Sequence, residues 1–429
     1  MTEQAPAAPP PSGTGLSAPP LGGRFVADVV ASLGSRVVIL ALAFVTSVTI
    51  ARSLGPEGRG LYAVAVAIGG LGVQFANLGL HAGNTLIVTR RHEASGQVLA
   101  NTIAVSLGLG GLLAIGAWVA IHALPVSRPL EDPLLAVALL LIPLGLLILL
   151  LEQLLLAFGL VGAFNRVEIG LRVGNLAGIG VAWLAGILSA GTAVAISLLS
   201  SASFALVAIR LLLPVAGRPI SPNVALLREY IGYGLRAYAA AFLAFLVLRI
   251  DLLMVDYFRG AADTGQYSIA VSLADLVYLP AVIVGTLLFP RLTAMTDAVA
   301  RRHAATQVVT ATGVAVIFGT FVVVVVARPL IGLIYGGEFE PAVAAFQWLM
   351  PAVAFLSVHT LVMTYYAASG MPLVVIFCPL VGLIANVGIN LVAIPALGIV
   401  GASISSTIAY AVMTMLGVAY FLYHRSDAS

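Results

Sequence analysis

Long apolar runs separated by short breaks of Gly, Pro and Arg dominate the chain. The clearest runs from Pro341 to His424, eighty-four residues without one Asp, Glu, Lys or Arg. About twenty apolar residues suffice for one bilayer crossing, so this stretch alone predicts three spans. Its internal breaks, Ser369-Gly370-Met371-Pro372 and Ala396 to Gly401, are turn signals, because neither Gly nor Pro propagates a helix well. The same reading along the chain predicts about twelve spans, near 29–51, 61–86, 98–121, 134–157, 169–188, 193–213, 236–258, 265–289, 305–327, 345–367, 373–394 and 401–423. The fold class is therefore an all-α polytopic membrane protein. Loops are short throughout, which leaves no soluble domain for a catalytic site. Residues 1–23 read as a disordered cytoplasmic tail, rich in Pro and Ala and unable to form a core.

A hairpin pattern occurs twice. Leu54 to Ile68, LGPEGRGLYAVAVAI, returns 205 residues later as Arg259 to Leu273, RGAADTGQYSIAVSL, with five of fifteen positions identical: Gly55/Gly260, Gly60/Gly265, Tyr62/Tyr267, Ala65/Ala270 and Val66/Val271. The offset passes six spans, an even number, so both copies cross the membrane in the same sense. The repeat is parallel and predicts two six-helix lobes, 24–216 and 217–429, related by a pseudo-two-fold axis along the membrane normal.

Composition and charge sharpen this picture. Hydrophobic residues make up 61% of the chain and charged residues 9%. With the N-terminus inside, fourteen Arg fall on the cytoplasmic side or in the cytoplasmic halves of spans and six on the other, as the positive-inside rule requires; both termini are then cytoplasmic and Gly58 and Asp263 face outside. The pI near 9.1 reflects that topology, and no basic run with interleaved aromatics points to nucleic acid. The single cysteine, Cys378, lies in span eleven and reads as a small core residue. The sequence holds no metal-ligand spacing, nucleotide loop or Ser/His/Asp arrangement, so no cofactor and no enzymatic activity are expected.

Polar residues inside spans supply the candidate site. In span two, Gln74, Asn77, His81 and Asn84 stand at i, i+3, i+7 and i+10 along one helix face, and in span eight Ser268, Ser272, Asp275 and Thr286 occupy a corresponding face. Two readings are open: polar glue between packed helices, or opposite walls of an aqueous cavity. Arg249 and Asp275 each lie thirteen residues from Ala262, so a helical hairpin brings them to similar depth, as a structural ion pair or as part of a transport site. Arg36 and Arg172 sit in the cytoplasmic halves of spans one and five, where an arginine attracts an anionic group or snorkels to the interface; for Arg172 the second reading is preferred.

Three segments carry a family resemblance: ARSLGPEGRGLYAVAV at 51–66, RIDLLMVDYFRGAADTGQYSIAVSLADLVYLPAVIVGTLLFPRLT at 249–293 and NVGINLVAIPALGIVGASISSTIAY at 386–410. They resemble the polysaccharide transporter family of O-antigen and exopolysaccharide flippases, within the multidrug, oligosaccharidyl-lipid and polysaccharide exporter superfamily. The resemblance implies a bacterial inner-membrane flippase that moves a polyprenyl-pyrophosphate-linked oligosaccharide to the outer leaflet by alternating access. It implies a cationic lumen, with Arg36 and Arg249 as the matching candidates beside the cavity residues Gln74, Asn77, His81 and Asp275. Implied partners are the lipid-linked glycan, membrane lipids and the glycan polymerase and assembly enzymes, with the chain acting as a monomer. An ion-coupled antiporter of drugs or organic cations, from the same superfamily, is the alternative.

Overall fold

A computed structural model describes residues 23–123 and 130–423, with side chains at 34, 36–123, 130–229 and 238–423. Residues 1–22, most of the expected tail, lie outside the described residues, and Gly23 already opens the first helix. Among the described residues the chain forms α1 (Gly23–Asn77), α2 (Leu80–Arg90), α3 (Ser95–Ala123), α4 (Asp132–Ala157), α5 (Val161–Leu184) and α6 (Ala190–Leu212). These are followed by α7 (Val224–Arg259), α8 (Ala261–Ala294), α9 (Ala298–Tyr335), α10 (Ala342–Ala368), α11 (Val374–Leu397) and α12 (Ile399–Tyr423), with short 3-10 turns at His92–Ala94 and Gly337–Phe339.

Eleven of these segments are long and apolar enough to cross a membrane, the first being the 42 residues Arg36–Asn77. A straight helix of that length reaches about 63 Å, roughly twice the hydrocarbon thickness. It is not straight: at Gly55 the backbone turns to φ 66°, ψ −173°, so α1 comprises two arms, each a crossing, and eleven becomes twelve. The chain is a multi-pass membrane protein whose described ends, Gly23 and Tyr423, share one face, here the terminal face. The opposite face carries Gly55, Gly260, Gly336 and Gly398 and is the hairpin face.

The repeat read from sequence is present in three dimensions. Gly260 between α7 and α8 adopts φ 82°, ψ −179°, the counterpart of Gly55 and a conformation open essentially to glycine alone. Gly60 and Gly265 then pack on each other's hairpins. A Cβ on Gly60 would lie 1.8 Å from the Ala261 carbonyl oxygen, and one on Gly265 would lie 1.8 Å from the Pro56 carbonyl oxygen. Since 56 and 261 also differ by 205, the contact is reciprocal, as a two-fold axis between parallel repeats demands.

Each lobe is built around its fourth crossing. In the first, α4 is buried against α1, α3 and α6; in the second, α10 is buried against α8, α9 and α12. Small residues permit close approach elsewhere: Gly170 and Gly178 of α5 face Phe204 and Ile196 of α6 with no room for a Cβ, at 2.2 and 2.6 Å. Helix ends are satisfied locally or by neighbours. Ser189 and Thr192 form a capping box on α6, and Asn223 and Asp297 accept from the first-turn amides of α7 and α9. Arg52 of α1 donates to the Leu333 and Ile334 carbonyls at 2.5 and 2.7 Å, capping the negative end of α9 across the lobe boundary.

Two expectations change. The second span is not one helix: the backbone breaks at Leu78 (φ 44°) and Gly79 (φ 77°), and α2 resumes at Leu80 on a new axis. The four polar residues predicted to share a continuous face are therefore divided between two helices. Several helices also outrun their predicted ends, α7 starting at Val224 rather than 236 and α9 ending at Tyr335 rather than 327, because helical turns continue past the apolar windows by which spans were recognised.

An arginine-lined cavity between the lobes

A cavity of about 290 Å³ lies between the lobes, walled by α1, α5 and α8. Its polar lining is Thr46, Ser47, Arg59, Tyr62, Arg172, Asn175, Ser272 and Asp275. Arg59 is buried, at 7% exposure, although it stands only four residues beyond the Gly55 turn. The helix resumes at Pro56, so Arg59 sits one turn inside it and faces the other lobe. Its Nε donates to Ser268 Oγ at 3.1 Å and a terminal nitrogen to Ser272 Oγ at 3.3 Å, while the guanidinium lies 5.7 Å from the Tyr62 ring centroid. Arg172 enters from the middle of α5, and its buried Nε has no hydrogen-bond partner among the described residues; nor does the buried Oδ1 of Asn175, one turn on, whose amide donates to Ser197 at 2.9 Å. The preferred sequence reading of Arg172, snorkelling to the interface, gives way to this position in the cavity wall.

Asp275 lines this cavity and is held by Arg249 of α7 at 2.9 Å, as the hairpin geometry predicted. The other candidates lie apart from it. Gln74 and His81 belong to a seam between the lobes where α1 and α2 meet α7: the Tyr238 hydroxyl donates to the Gln74 carbonyl oxygen, His81 stands edge-on to the Tyr238 ring, and Phe75 packs edge-on against Phe242 at 4.8 Å. Asn77 is buried and paired with His81 at 3.1 Å. Asn84 donates to Thr102 of α3 at 2.9 Å and is packing polarity. Arg36 is exposed and outside the cavity lining. In α8 the predicted polar stripe does face inward, through Ser268 and Ser272 toward Arg59 and Thr286 toward a second space.

That second space, about 590 Å³, lies nearer the terminal face between α7, α8, α10 and α11. Tyr278, Thr286, His359, Thr360 and Thr364 give it a few polar groups within a largely apolar wall. The first cavity is thus lined by charged groups and the second largely by apolar ones.

Sequence reasoning missed two features. One is Arg59, which falls in the break between the predicted spans 29–51 and 61–86. The other is a buried cluster in the second lobe: Asp251 accepts from the Tyr267 hydroxyl at 2.5 Å and the Ser406 hydroxyl at 3.1 Å, Asn386 donates to Ser406 at 3.2 Å, and Asn390 donates to Asn386 at 2.9 Å. It ties α7, α8, α11 and α12 together; the i, i+4 spacing of Asn386 and Asn390 was its only signal in the sequence.

Two helical lobes with a charged cavity at their interface define a polytopic all-α membrane protein. The chain belongs to the polysaccharide biosynthesis protein family, whose model matches residues 49–344. No curated protein matches its sequence. Among solved structures it is similar to an inward-facing multidrug resistance MATE family transporter of the MOP superfamily, at 15% identity over 91% of this chain and 95% of that one, with a TM-score of 0.75. It is similar to the lipid II flippase MurJ in an inward closed conformation, at 14% identity over 94% and 87%, TM-score 0.76. An outward-facing MATE family transporter of the MOP superfamily, at 15% identity over 94% and 96%, gives 0.60.

Proposed function

We propose that this chain is a flippase for a polyprenyl-pyrophosphate-linked oligosaccharide, carrying the polar head from the cytoplasmic to the outer leaflet of a bacterial inner membrane. The observation that carries the reading is the pair Arg59 and Arg172 in one inter-lobe cavity, with Arg172 Nε lacking a partner among the described residues. Guanidinium groups bind phosphate through paired N–H donors, and a low-dielectric surround strengthens the attraction. Arg249 neutralises Asp275 and so keeps a carboxylate from repelling the anion.

The arginine asymmetry supports a terminal face in the cytoplasm and a hairpin face outside. The cavity is then closed to the outside, in keeping with the higher similarity to inward-facing folds than to the outward-facing one. Residues 24–216 and 217–429 act as the two rocking bodies, with the linker around Gly217 docked on α3 through Asn101 and Asn223. The glycan polymerase and assembly enzymes are the expected protein partners, and the chain works as a monomer.

An antiporter of organic cations is disfavoured by the same two arginines, which repel its substrate. Reconstitution into vesicles with lipid-linked oligosaccharide decides between the two. The flippase reading expects head-group translocation that falls at least tenfold in Arg172→Gln protein of normal abundance and monodispersity. Proton- or sodium-driven uptake of an organic cation, with no translocation of the glycolipid, would establish the antiporter instead.

A further inference from the structure

At the hairpin face, beside the Arg52 tie to the end of α9, the lobes meet through a contact with no side chain on either side. Gly60 and Gly265 approach so closely that a Cβ on either would overlap the other lobe's backbone, 1.8 Å from a carbonyl oxygen in each case. Arg59, the residue immediately before Gly60, reaches across the same boundary to Ser268 and Ser272, three and seven residues after Gly265. The closing contact and the cationic cavity are therefore adjacent, and Arg59 belongs to both.

We infer that Gly60, Gly265 and Arg59 form one outer gate that is released by the anion it admits. The glycines make closure sterically possible, and the Arg59–serine hydrogen bonds hold it. Both serines are neutral acceptors, whereas a phosphate in the cavity offers ionised oxygens that can accept two guanidinium N–H bonds at once, so it competes with the serines for Arg59. A bound pyrophosphate draws the guanidinium away from α8, the tie between the lobes loosens and the hairpins part. An empty cavity leaves the gate shut, which prevents an unloaded lumen from opening outward. The gate step rests on geometry alone; the release step rests on the reading of the cavity as a phosphate site.

Spin labels at Glu57→Cys and Ala262→Cys, equivalent exposed positions on the two hairpin tips, in a Cys378→Ala background, report gate opening as an interlabel distance. Without ligand, Gly60→Val and Gly265→Val should each move most of the population to a longer distance, and Gly180→Val, where a Cβ meets nothing within 4 Å, should not. Arg59→Gln, which places no atom in the glycine contact, should lengthen the distance as well. Well-folded Gly60→Val and Arg59→Gln proteins with the parent distance would overturn the gate. Inorganic pyrophosphate should lengthen the distance in the parent and add nothing in Arg59→Gln. Pyrophosphate that binds calorimetrically without moving the parent distance overturns the release step. Pyrophosphate that fails to bind overturns the phosphate reading of the cavity and the release step with it, while the glycine arm stands or falls on its own result.

Discussion

At Gly55 and Gly260 a single residue determines whether a forty-residue apolar stretch becomes a hairpin. Both hold a positive φ with ψ near 180°, a region that costs a side-chain-bearing residue on the order of 1–3 kcal/mol. Gly260→Ala should therefore lower the thermal unfolding temperature in detergent. Gly108→Ala, in mid-helix with nothing within 4 Å, should leave it unchanged or raise it, since Ala is favoured over Gly in a helix by about 1 kcal/mol. Equal shifts for the two would remove the backbone argument. The Arg249–Asp275 pair obeys a different logic. Both side chains are partly exposed, at 36% and 48%, and Asp275 lines the cavity, so removing Arg249 leaves Asp275 as a bare negative charge beside the proposed phosphate site. Arg249→Ala should reduce flipping strongly at normal abundance, and adding Asp275→Ala should restore a substantial part of it. A double variant as inactive as the single one would show that Arg249 contributes its own charge to transport rather than masking the carboxylate.

Among the elements, what could be read from sequence was whatever repeats or is long. Twelve crossings follow from apolar length, and the parallel lobes from an offset of 205 that fixes parity. The break at Leu78–Gly79 was not legible, because a lone Gly inside an apolar run is common and tolerated, and nothing local distinguishes one that turns the axis. Arg59 was misplaced for a related reason: polar residues beside a turn look like loop, whereas the helix restarts at Pro56 and carries the arginine inward. Asp251, Asn386 and Ser406 lie on helices far apart in sequence, so only the packing of α7, α11 and α12 reveals their cluster. The seam between α2 and α7 was likewise invisible. Its ion pair, Arg91 with Glu229 at 2.7 Å, is half exposed on both sides and contributes about 0–1 kcal/mol, falling with salt. The edge-on pair Phe75 and Phe242 should matter more. A double-mutant cycle to alanine, followed by thermal unfolding, should return a coupling of about 0.5–1.5 kcal/mol, and zero coupling would reduce the seam to incidental contact.

For the whole molecule, twelve crossings oblige the two described ends to share a face, but parity alone does not say which face is the cytoplasm. The arginines do. Arg90, Arg91, Arg166, Arg210, Arg218, Arg228, Arg291, Arg301 and Arg302 all lie toward the terminal face, and two of them fasten it: Arg302 donates to the Phe421 carbonyl at the end of α12, and Arg301 to the Ala368 carbonyl at the end of α10. Against them the hairpin face holds Arg52, Arg259 and Arg328, of which the last two are paired with Asp263 and Glu340. The positive-inside rule counts arginines, so the proposed orientation puts the terminal face inside. Gly58 is a poor place to test this, because a Cβ there would lie 2.6 Å from Leu54 Cβ; Glu57 and Ala262 are exposed and suit a reporter cysteine. In intact cells of a Cys378→Ala background, Glu57→Cys and Ala262→Cys should react with an impermeant maleimide, and Glu93→Cys should react only after the membrane is opened. The reverse pattern would invert the topology, place the arginine cavity open to the outside, and turn the direction of transport from export to uptake.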